Sequence, residues 1–247
     1  MAIIDIRAQI GTSTVLGAQT SGADLVRVLT KYGISGCVVS STLANSCDFK
    51  TGNARLTEEI KKQARFLGCL VVNTSHPEES TEEMHQYLGA KNFAGVILRS
   101  GVAGRHVMLD ECADILNAFR RFTTKTVFLE AQNREAVTAT REIAERFPTI
   151  KFVMMSMGGD DWPNAAAAAA KTLNIYLETS GNLNPNKVKH TYEAVGPNRL
   201  LFGSNWPYAN PALTIGLIED ADISDADKKR IFETNGMRLL GYGKPTD

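Results

Sequence analysis

The sequence is poor in the residue types that build most metal and redox centres. It contains 4 histidines and 4 cysteines among its 247 residues. Cys37, Cys47, Cys69 and Cys112 form no CxxC pair, and the histidines form neither HxH nor HExxH. Spacing alone therefore predicts no zinc site and no redox-active dithiol, and we expect no metal and no cofactor.

Net charge and long apolar runs are also absent. The chain balances 27 basic against 27 acidic residues, so no net field attracts nucleic acid or an anionic membrane. No apolar run reaches membrane-spanning length, and the first residues are typical of a strand rather than of a signal segment. We expect a cytoplasmic protein that binds a small-molecule substrate, with no nucleic acid and no membrane. The oligomeric state stays open, and a homo-oligomer is compatible with this sequence.

Short apolar runs rich in β-formers alternate with segments of helical periodicity along the whole chain. No break in composition marks a linker, so we predict a single domain over residues 1–247. Eight strand-then-helix units predict an α/β fold, a (β/α)8 TIM barrel; an open doubly wound sheet fits the same pattern, but near-equal units favour closure. The predicted strands are 2–11, 36–41, 67–75, 94–100, 125–132, 151–157, 174–180 and 199–207.

The first predicted strand carries polar residues where a core strand is usually apolar. Asp5, Arg7 and Gln9 alternate with apolar residues, so strict alternation predicts that the three share one face. Burying them without partners costs on the order of a few kcal/mol each. That face therefore lines a polar site or a satisfied network, or else the strand lies at an edge with this face in water.

The carboxyl ends of the strands are where a TIM barrel carries its site. Polar side chains follow nearly every predicted strand, whereas histidines are almost absent from these ends. No GxSxG motif accompanies the serines, so a nucleophile elbow is not predicted. The strand-end residues include Arg7, Gln9, Ser40, Asn73, Arg99, Glu130, Gln132, Ser156, Glu178, Ser180, Ser204 and Asn205.

Several segments resemble the amidohydrolase superfamily, and in particular its branch of metal-dependent TIM-barrel hydrolases and decarboxylases. The resemblance runs over almost the whole chain and implies the same barrel fold. It is carried by IDIRAQIG in the first strand, LVVNTSHPEE in the third, GVILRSG in the fourth, RFPTIKFVMMSMGG in the sixth, RLLFGSNWPY in the eighth and ETNGMRLLG in the last helix.

In that family an HxH motif, two further histidines and an aspartate hold one or two divalent metals. The resemblance places these five ligand positions on Arg7, Gln9, Glu130, Ser156 and Asn205, so that all five are substituted. A guanidinium at this point would repel a divalent cation, and we predict no catalytic metal. We predict instead that Arg7 pairs with Glu130, while Gln9, Ser156 and Asn205 satisfy the remaining donors and acceptors.

Three functions follow from this interpretation. The first is a metal-independent hydrolase of a lactone, ester or amide, or a lyase, acting on a small organic acid. The second is a non-catalytic descendant that binds a ligand or a partner, and the third is a purely structural network. The predicted catalytic residues are Glu130 and Arg7, and the predicted substrate-binding residues are Gln9, Arg99, Ser156, Asn205 and Trp206. Three aromatic residues at the same end of the barrel form either an apolar wall for a substrate or, as is more common, packing for the loops: Trp206, Tyr208 and Trp162.

Overall fold

The computed structural model describes residues 2–13 and 16–241 of the chain. Its centre is a nine-stranded sheet with the order β2-β1-β3-β4-β5-β6-β7-β8-β9. Only the β1–β2 pair is antiparallel; each of the other pairings is parallel. The strands are β1 (Ile3–Ser13), β2 (Ala18–Thr20), β3 (Ile34–Ser41), β4 (Phe66–Asn73), β5 (Phe93–Arg99), β6 (Thr126–Glu130), β7 (Lys151–Met155), β8 (Ile175–Glu178) and β9 (Leu200–Leu201).

The parallel sheet curls until the chain after β9 meets β1. The Ile6 N–H donates to the Phe202 carbonyl at 3.0 Å, and the Gln9 N–H donates to the Trp206 carbonyl at 2.8 Å. These bonds pair the free side of β1, so the edge-strand alternative is wrong. The predicted α/β TIM-barrel fold is confirmed, with β2 as an additional antiparallel strand that the sequence pattern did not indicate.

Helices follow the strands and bury one side against the sheet. The first helix illustrates how capping and spacing define a helix. Ser21 and Asp24 form a capping box at its start, and Leu25 and Leu29, one turn apart, are fully buried. The helices are α1 (Gly22–Lys31), α2 (Thr42–Ser46), α3 (Phe49–Lys61), α4 (Pro77–Tyr87), α5 (Leu109–Phe122), α6 (Arg134–Arg146), α7 (Trp162–Lys171), α8 (Lys187–Val195), α9 (Pro211–Glu219), α10 (Asp225–Lys229) and α11 (Asn235–Leu240).

Two apolar clusters fill the fold. The larger cluster joins the outer faces of the strands to the helices, and the smaller one fills the barrel interior. On β1, Ile4 and Ile6 pack with the interior cluster, whereas Ala8 and Ile10 belong to the outer one. The facing of β1 thus changes partway along the strand.

An irregularity in β1 explains this change of face. The register with β3 shifts between Asp5 and Ala8, as at a β-bulge. Strict alternation predicts that Asp5, Arg7 and Gln9 share one face, and that prediction is wrong for Asp5. The bulge leaves Asp5 on the side of the outer layer and turns Arg7 and Gln9 toward the barrel interior.

Several element boundaries differ from the sequence-based prediction. Helical periodicity predicts a helix over residues 56–66, but α3 begins earlier, because the Asp48 carboxylate caps it by accepting the Thr51 N–H at 3.0 Å. Phe66 belongs to β4. The polar composition of residues 45–53 predicts a loop, but most of this stretch lies in α2 and α3. Among helices in residues 2–13 and 16–241, none combines the length and hydrophobicity needed to cross a bilayer.

Candidate active site at the barrel mouth

The Arg7 guanidinium is the centre of a buried polar network. Its Nη2 lies 2.6 Å from Glu130 Oε2, and its Nη1 lies 3.1 Å from Glu178 Oε2. Nη1 also donates to Ser156 Oγ at 2.6 Å and to Ser180 Oγ at 3.1 Å. Burial by itself lowers the pKa of Arg7, but attraction to the two carboxylates outweighs it and leaves the pKa above its usual value.

Glu130 connects this network to the outside. It ends β6, and its side chain is 25% exposed, whereas Glu178 is fully buried. The Ser156 hydroxyl donates to Glu130 Oε1 at 2.6 Å, and Gln132 Nε2 donates to the same oxygen at 3.2 Å. Both Glu130 oxygens are therefore held, one by Arg7 and the other by the Ser156 hydroxyl and the Gln132 amide.

Ser156 follows β7 in an unusual backbone conformation. Ser156 and Met157 have φ values of +61° and +44°, a region that non-glycine residues rarely adopt. Gly159 follows at φ +58°, and a Cβ there would lie 2.4 Å from the Gln132 carbonyl oxygen. This turn also directs the Ser156 N–H to Glu178 Oε2 at 3.0 Å. Backbone strain of this kind concentrates at functional sites.

Glu178 is the second carboxylate of the network. It accepts hydrogen bonds from Arg7, from the Ser156 N–H and from both the N–H and the hydroxyl of Ser180. The chain packs tightly here, because a Cβ at Gly203 would lie 2.3 Å from Glu178 Oε1. Glu178 and Ser180 stand at a predicted strand end, but they match no ligand position of the family and were not predicted as site residues.

A buried lysine supports the loop after β8. Lys187 Nζ donates to the carbonyls of Thr179 at 2.7 Å and Ser180 at 3.1 Å, and to that of Asn182. Burial lowers the pKa of Lys187 to about 8. Its three carbonyl contacts fix the backbone that carries Glu178 and Ser180.

Asp5 belongs to a separate buried contact. Its Oδ1 accepts the N–H groups of Arg7 at 2.9 Å and Ser204 at 3.0 Å, and its Oδ2 accepts the Ser204 hydroxyl at 2.6 Å. Burial raises the pKa of Asp5 to about 7. The carboxyl fastens β1 to the segment after β9, which is a structural role.

A small cavity of about 30 Å³ opens beside this network. Arg7, Gln9, Arg99 and Glu130 line it, so the fold brings four of the predicted site residues together. Ser156, Asn205 and Trp206 are not among its lining residues. The remaining lining residues are Ile6, Ala8, Val38, Ser40, Asn45, Cys69, Ile97, Phe128 and Met155.

Part of the predicted pairing is found and part is wrong. Arg7 pairs with Glu130 and Ser156 as expected, but among the described residues its guanidinium bonds to Glu178 and Ser180 rather than to Gln9 or Asn205. The reason is geometric, since β8 ends directly beside Arg7.

Gln9 and Asn205 have other surroundings. Gln9 is paired with Asn45. Asn205 has a φ of +55°, and its buried Oδ1 has no hydrogen-bond partner in the part of the chain that the structure describes.

Of the two alternatives for the aromatic residues, the structure shows packing rather than a wall at the cavity. Trp206 packs against the outer cluster, Trp162 meets His190 edge-to-face at 5.1 Å between ring centroids, and Tyr208 accepts the Ser13 hydroxyl at 3.3 Å. None of the three aromatic residues lines the described cavity.

The side chains at the mouth form a poor donor set for a divalent cation of the kind that the resemblance implies. A guanidinium occupies the space between the two carboxylates, and it would repel the cation. Within residues 2–13 and 16–241, no three His, Cys, Asp or Glu side chains are placed to share a metal ion. A metal does not fit these residues, and we derive no chemical step through one.

Comparison with known proteins identifies the family. The family model described as amidohydrolase matches residues 17–242. The chain belongs to the amidohydrolase family.

A stretch of 67 residues is 35% identical to gamma-resorcylate decarboxylase of Polaromonas sp. (strain JS666 / ATCC BAA-500), covering 27% of this chain and 21% of that protein. A stretch of the same length is 30% identical to gamma-resorcylate decarboxylase of Rhizobium sp. (strain MTP-10005), covering 27% and 20%. The match therefore spans about a fifth of each relative.

Two solved structures share the fold over nearly the full chain. The 2,6-dihydroxybenzoate decarboxylase from Rhizobium superposes with a TM-score of 0.77 at 16% identity, covering 97% of this chain and 98% of that one. The dihydroxybenzoic acid decarboxylase from Polaromonas sp. JS666, solved with manganese and 2-nitroresorcinol, gives 0.80 at 16% identity, with 98% of each chain covered. At this identity the likeness shows the fold.

Proposed function

We propose that this amidohydrolase-family chain is a metal-independent enzyme that acts on a small organic acid, either hydrolysing a lactone, ester or amide or catalysing a lyase step. Glu130 carries this proposal. It reaches the cavity with a 25% exposed side chain, while Arg7 and Ser156 hold its two oxygens in place. A carboxylate held in this way is suited to take a proton from a bound molecule and to return it.

The proposed roles follow from position. Glu130 is the general base and acid, and Arg7, in the cavity wall, stabilises negative charge that develops beside it. Arg99 lines the same cavity and makes no salt bridge with any described residue, so it is free to bind the substrate's anionic group. Ser156 is a positioning residue, since it touches Glu130 rather than the cavity.

The names of relatives support the lyase branch of the proposal. The matched curated proteins are gamma-resorcylate decarboxylases, and two of the structural neighbours are 2,6-dihydroxybenzoate and dihydroxybenzoic acid decarboxylases. Loss of carbon dioxide from an acid requires a group that delivers a proton to the carbon left behind. In this proposal Glu130 takes the proton of the bound acid and returns it to that carbon, so the reaction balances without a metal.

A non-catalytic, ligand-binding descendant is the second candidate. The observation that favours it is the complete engagement of Arg7, whose two terminal nitrogens already have four partners: Ser156, Glu178, Ser180 and Glu130. Fully engaged charged groups are common in structural networks, and such groups are less able to respond to a substrate.

Turnover assays with a charge-neutralised variant test the proposal. Purified wild type, Glu130→Gln and the surface control Glu142→Gln are given lactones, esters, β-keto acids and hydroxybenzoic acids, with the metal content of each sample measured. Wild type and Glu142→Gln should turn over at least one substrate, and Glu130→Gln should lose about 100-fold or more in kcat/KM.

Two results would contradict the proposal. One is equal activity of Glu130→Gln and wild type. The other is activity that disappears with a chelator and returns only with added manganese or zinc. Ligand binding without any turnover would favour the second candidate.

A further inference from the structure

The cavity beside Glu130 is also lined by a cationic side chain that takes part in no salt bridge with the described residues. Arg99 ends β5 and is half-buried in the cavity wall. Its guanidinium makes no salt bridge with any residue in 2–13 or 16–241, unlike that of Arg7. A half-buried guanidinium gains most from an anion that can accept two parallel N–H bonds, and a carboxylate is such an anion.

A second donor beside Arg99 is set by an amide pair. Asn45 Nδ2 donates to the Ser41 carbonyl at 2.9 Å and to Ser40 Oγ at 3.0 Å, and it lies 3.5 Å from Gln9 Oε1. The two Asn45 hydrogens go to the closer Ser oxygens, but the positive NH2 end of Asn45 still faces Gln9 and favours the Gln9 oxygen over the Gln9 NH2 group on that side. The Gln9 NH2 group then remains to donate to a molecule in the cavity that Gln9 lines.

The other side of the cavity offers an acceptor. Glu130 is a carboxylate with an exposed edge, and carboxylate oxygens accept further hydrogen bonds. The cavity opens to the outside, and its volume of about 30 Å³ is an order of magnitude less than that of a pocket for a ring-sized ligand. We therefore consider a compact molecule, which carries the groups for Arg99 and Glu130 on neighbouring atoms.

We propose that this cavity selects a small aliphatic carboxylate with a hydrogen-bond donor, a hydroxyl or an ammonium, on the adjacent carbon. Arg99 and the Gln9 amide hold the carboxylate, and Glu130 accepts the donor. Asn45 is a positioning residue that sets specificity through Gln9. This inference rests on the proposed function, since it names the substrate class of the same site.

Equilibrium binding without turnover tests this substrate class. Acetate, glycolate and glycine are titrated at constant ionic strength and followed by protein NMR shifts. Wild type should bind glycolate or glycine about tenfold more tightly than acetate, because only these two satisfy Glu130. If glycolate binds more tightly than glycine, the donor is a hydroxyl; if glycine binds more tightly, it is an ammonium. A ring acid, 2-hydroxybenzoate, should bind more weakly than the better aliphatic ligand.

Variants assign the binding groups. Arg99→Gln should weaken all three small ligands by tenfold or more, and Arg121→Gln, on the exposed end of α5, should leave them unchanged. Asn45→Asp should weaken them similarly, because its carboxylate attracts the Gln9 NH2 and turns the Gln9 oxygen into the cavity. Asn45→Ala, which removes the constraint on Gln9, should have a smaller effect of the same sign. Thermal unfolding shows whether each variant is folded. If Arg99→Gln is unfolded, Arg99→Lys replaces it, because lysine keeps the charge but cannot donate the paired N–H bonds.

Equal affinity of wild type for acetate, glycolate and glycine, or tighter binding of 2-hydroxybenzoate, would overturn the inference. So would equal losses in Arg99→Gln and Arg121→Gln. The two proposals fail separately. Selective binding without turnover of any substrate supports the inference and contradicts the enzyme, whereas Glu130-dependent turnover of acids without the donor does the reverse.

Discussion

Arg7 is the residue on which the polar interior of the barrel depends. It stands between two carboxylates, one partly exposed and one fully buried, and it also bonds to two hydroxyls. A buried ion pair contributes little net stability when complete, because desolvation offsets most of the attraction. Its removal is costly, because an uncompensated buried charge is left behind.

Replacing Arg7 by methionine should therefore destabilise the protein strongly. Glu178 would remain buried without its cation, and the expected loss is about 3–5 kcal/mol in the free energy of unfolding, measured with urea. The double variant Arg7→Met/Glu178→Gln should recover part of that loss, because it removes the orphaned charge. A loss below about 1 kcal/mol in the single variant would show that the pairing is not structural.

At the scale of secondary-structure elements, two irregularities position the site. The register shift in β1 turns Arg7 and Gln9 toward the interior. The turn after β7, through Ser156, Met157 and the two following glycines, has positive φ throughout and brings the Ser156 hydroxyl against Glu130. Regular strands at both places would separate these groups.

The turn after β7 should tolerate no side chain at Gly159. An alanine Cβ would lie 2.4 Å from the Gln132 carbonyl oxygen, and the residue also has a φ of +58°. Gly159→Ala should cost about 2 kcal/mol or more in unfolding free energy. The matched control is Gly216→Ala in α9, where nothing lies within 4 Å of the added Cβ, and this variant should be neutral or stabilise by up to about 1 kcal/mol. Equal effects of the two variants would contradict the assignment of strain to this turn.

At the scale of the whole molecule, the barrel is completed where β1 meets the segment after β9. Backbone hydrogen bonds join the two, and Asp5 adds bonds to Ser204 and to the Arg7 N–H. The pKa of Asp5 rises from 3.8 to about 7 in the folded protein because the carboxyl is fully buried. Closure of the barrel is therefore linked to pH.

The free energy of unfolding should fall as the pH rises. Because folding raises the pKa of Asp5, its contribution to stability is fully present below about pH 4 and is lost as the pH rises through about 7. Relative to Asp5→Asn, whose side chain does not titrate, wild type should lose on the order of a few kcal/mol between pH 5 and pH 8. Urea unfolding at several pH values measures this difference. Parallel stability curves for the two proteins would rule out ionisation of Asp5 as the cause.

The sequence by itself determined the fold and most of its parts. Period-2 and period-3.6 patterns depend only on neighbouring residues, so they can be read from the sequence, and they indicate eight strand-and-helix units. The segments at residues 4–11 and 199–208 resemble the family and indicate where a site lies. The ends of the predicted strands carry Arg7, Gln9, Arg99 and Glu130, and these four predicted site residues do line one cavity.

Only the tertiary structure decided which polar groups meet. Glu178 is far from Arg7 in sequence, and no local pattern encodes its approach through the end of β8. The bulge that separates Asp5 from Arg7 arises from pairing with β3, and the turn at Ser156 depends on close packing against Gln132. These features depend on strands distant in the chain, because hydrogen bonds and steric contacts across the barrel exist only after it has formed.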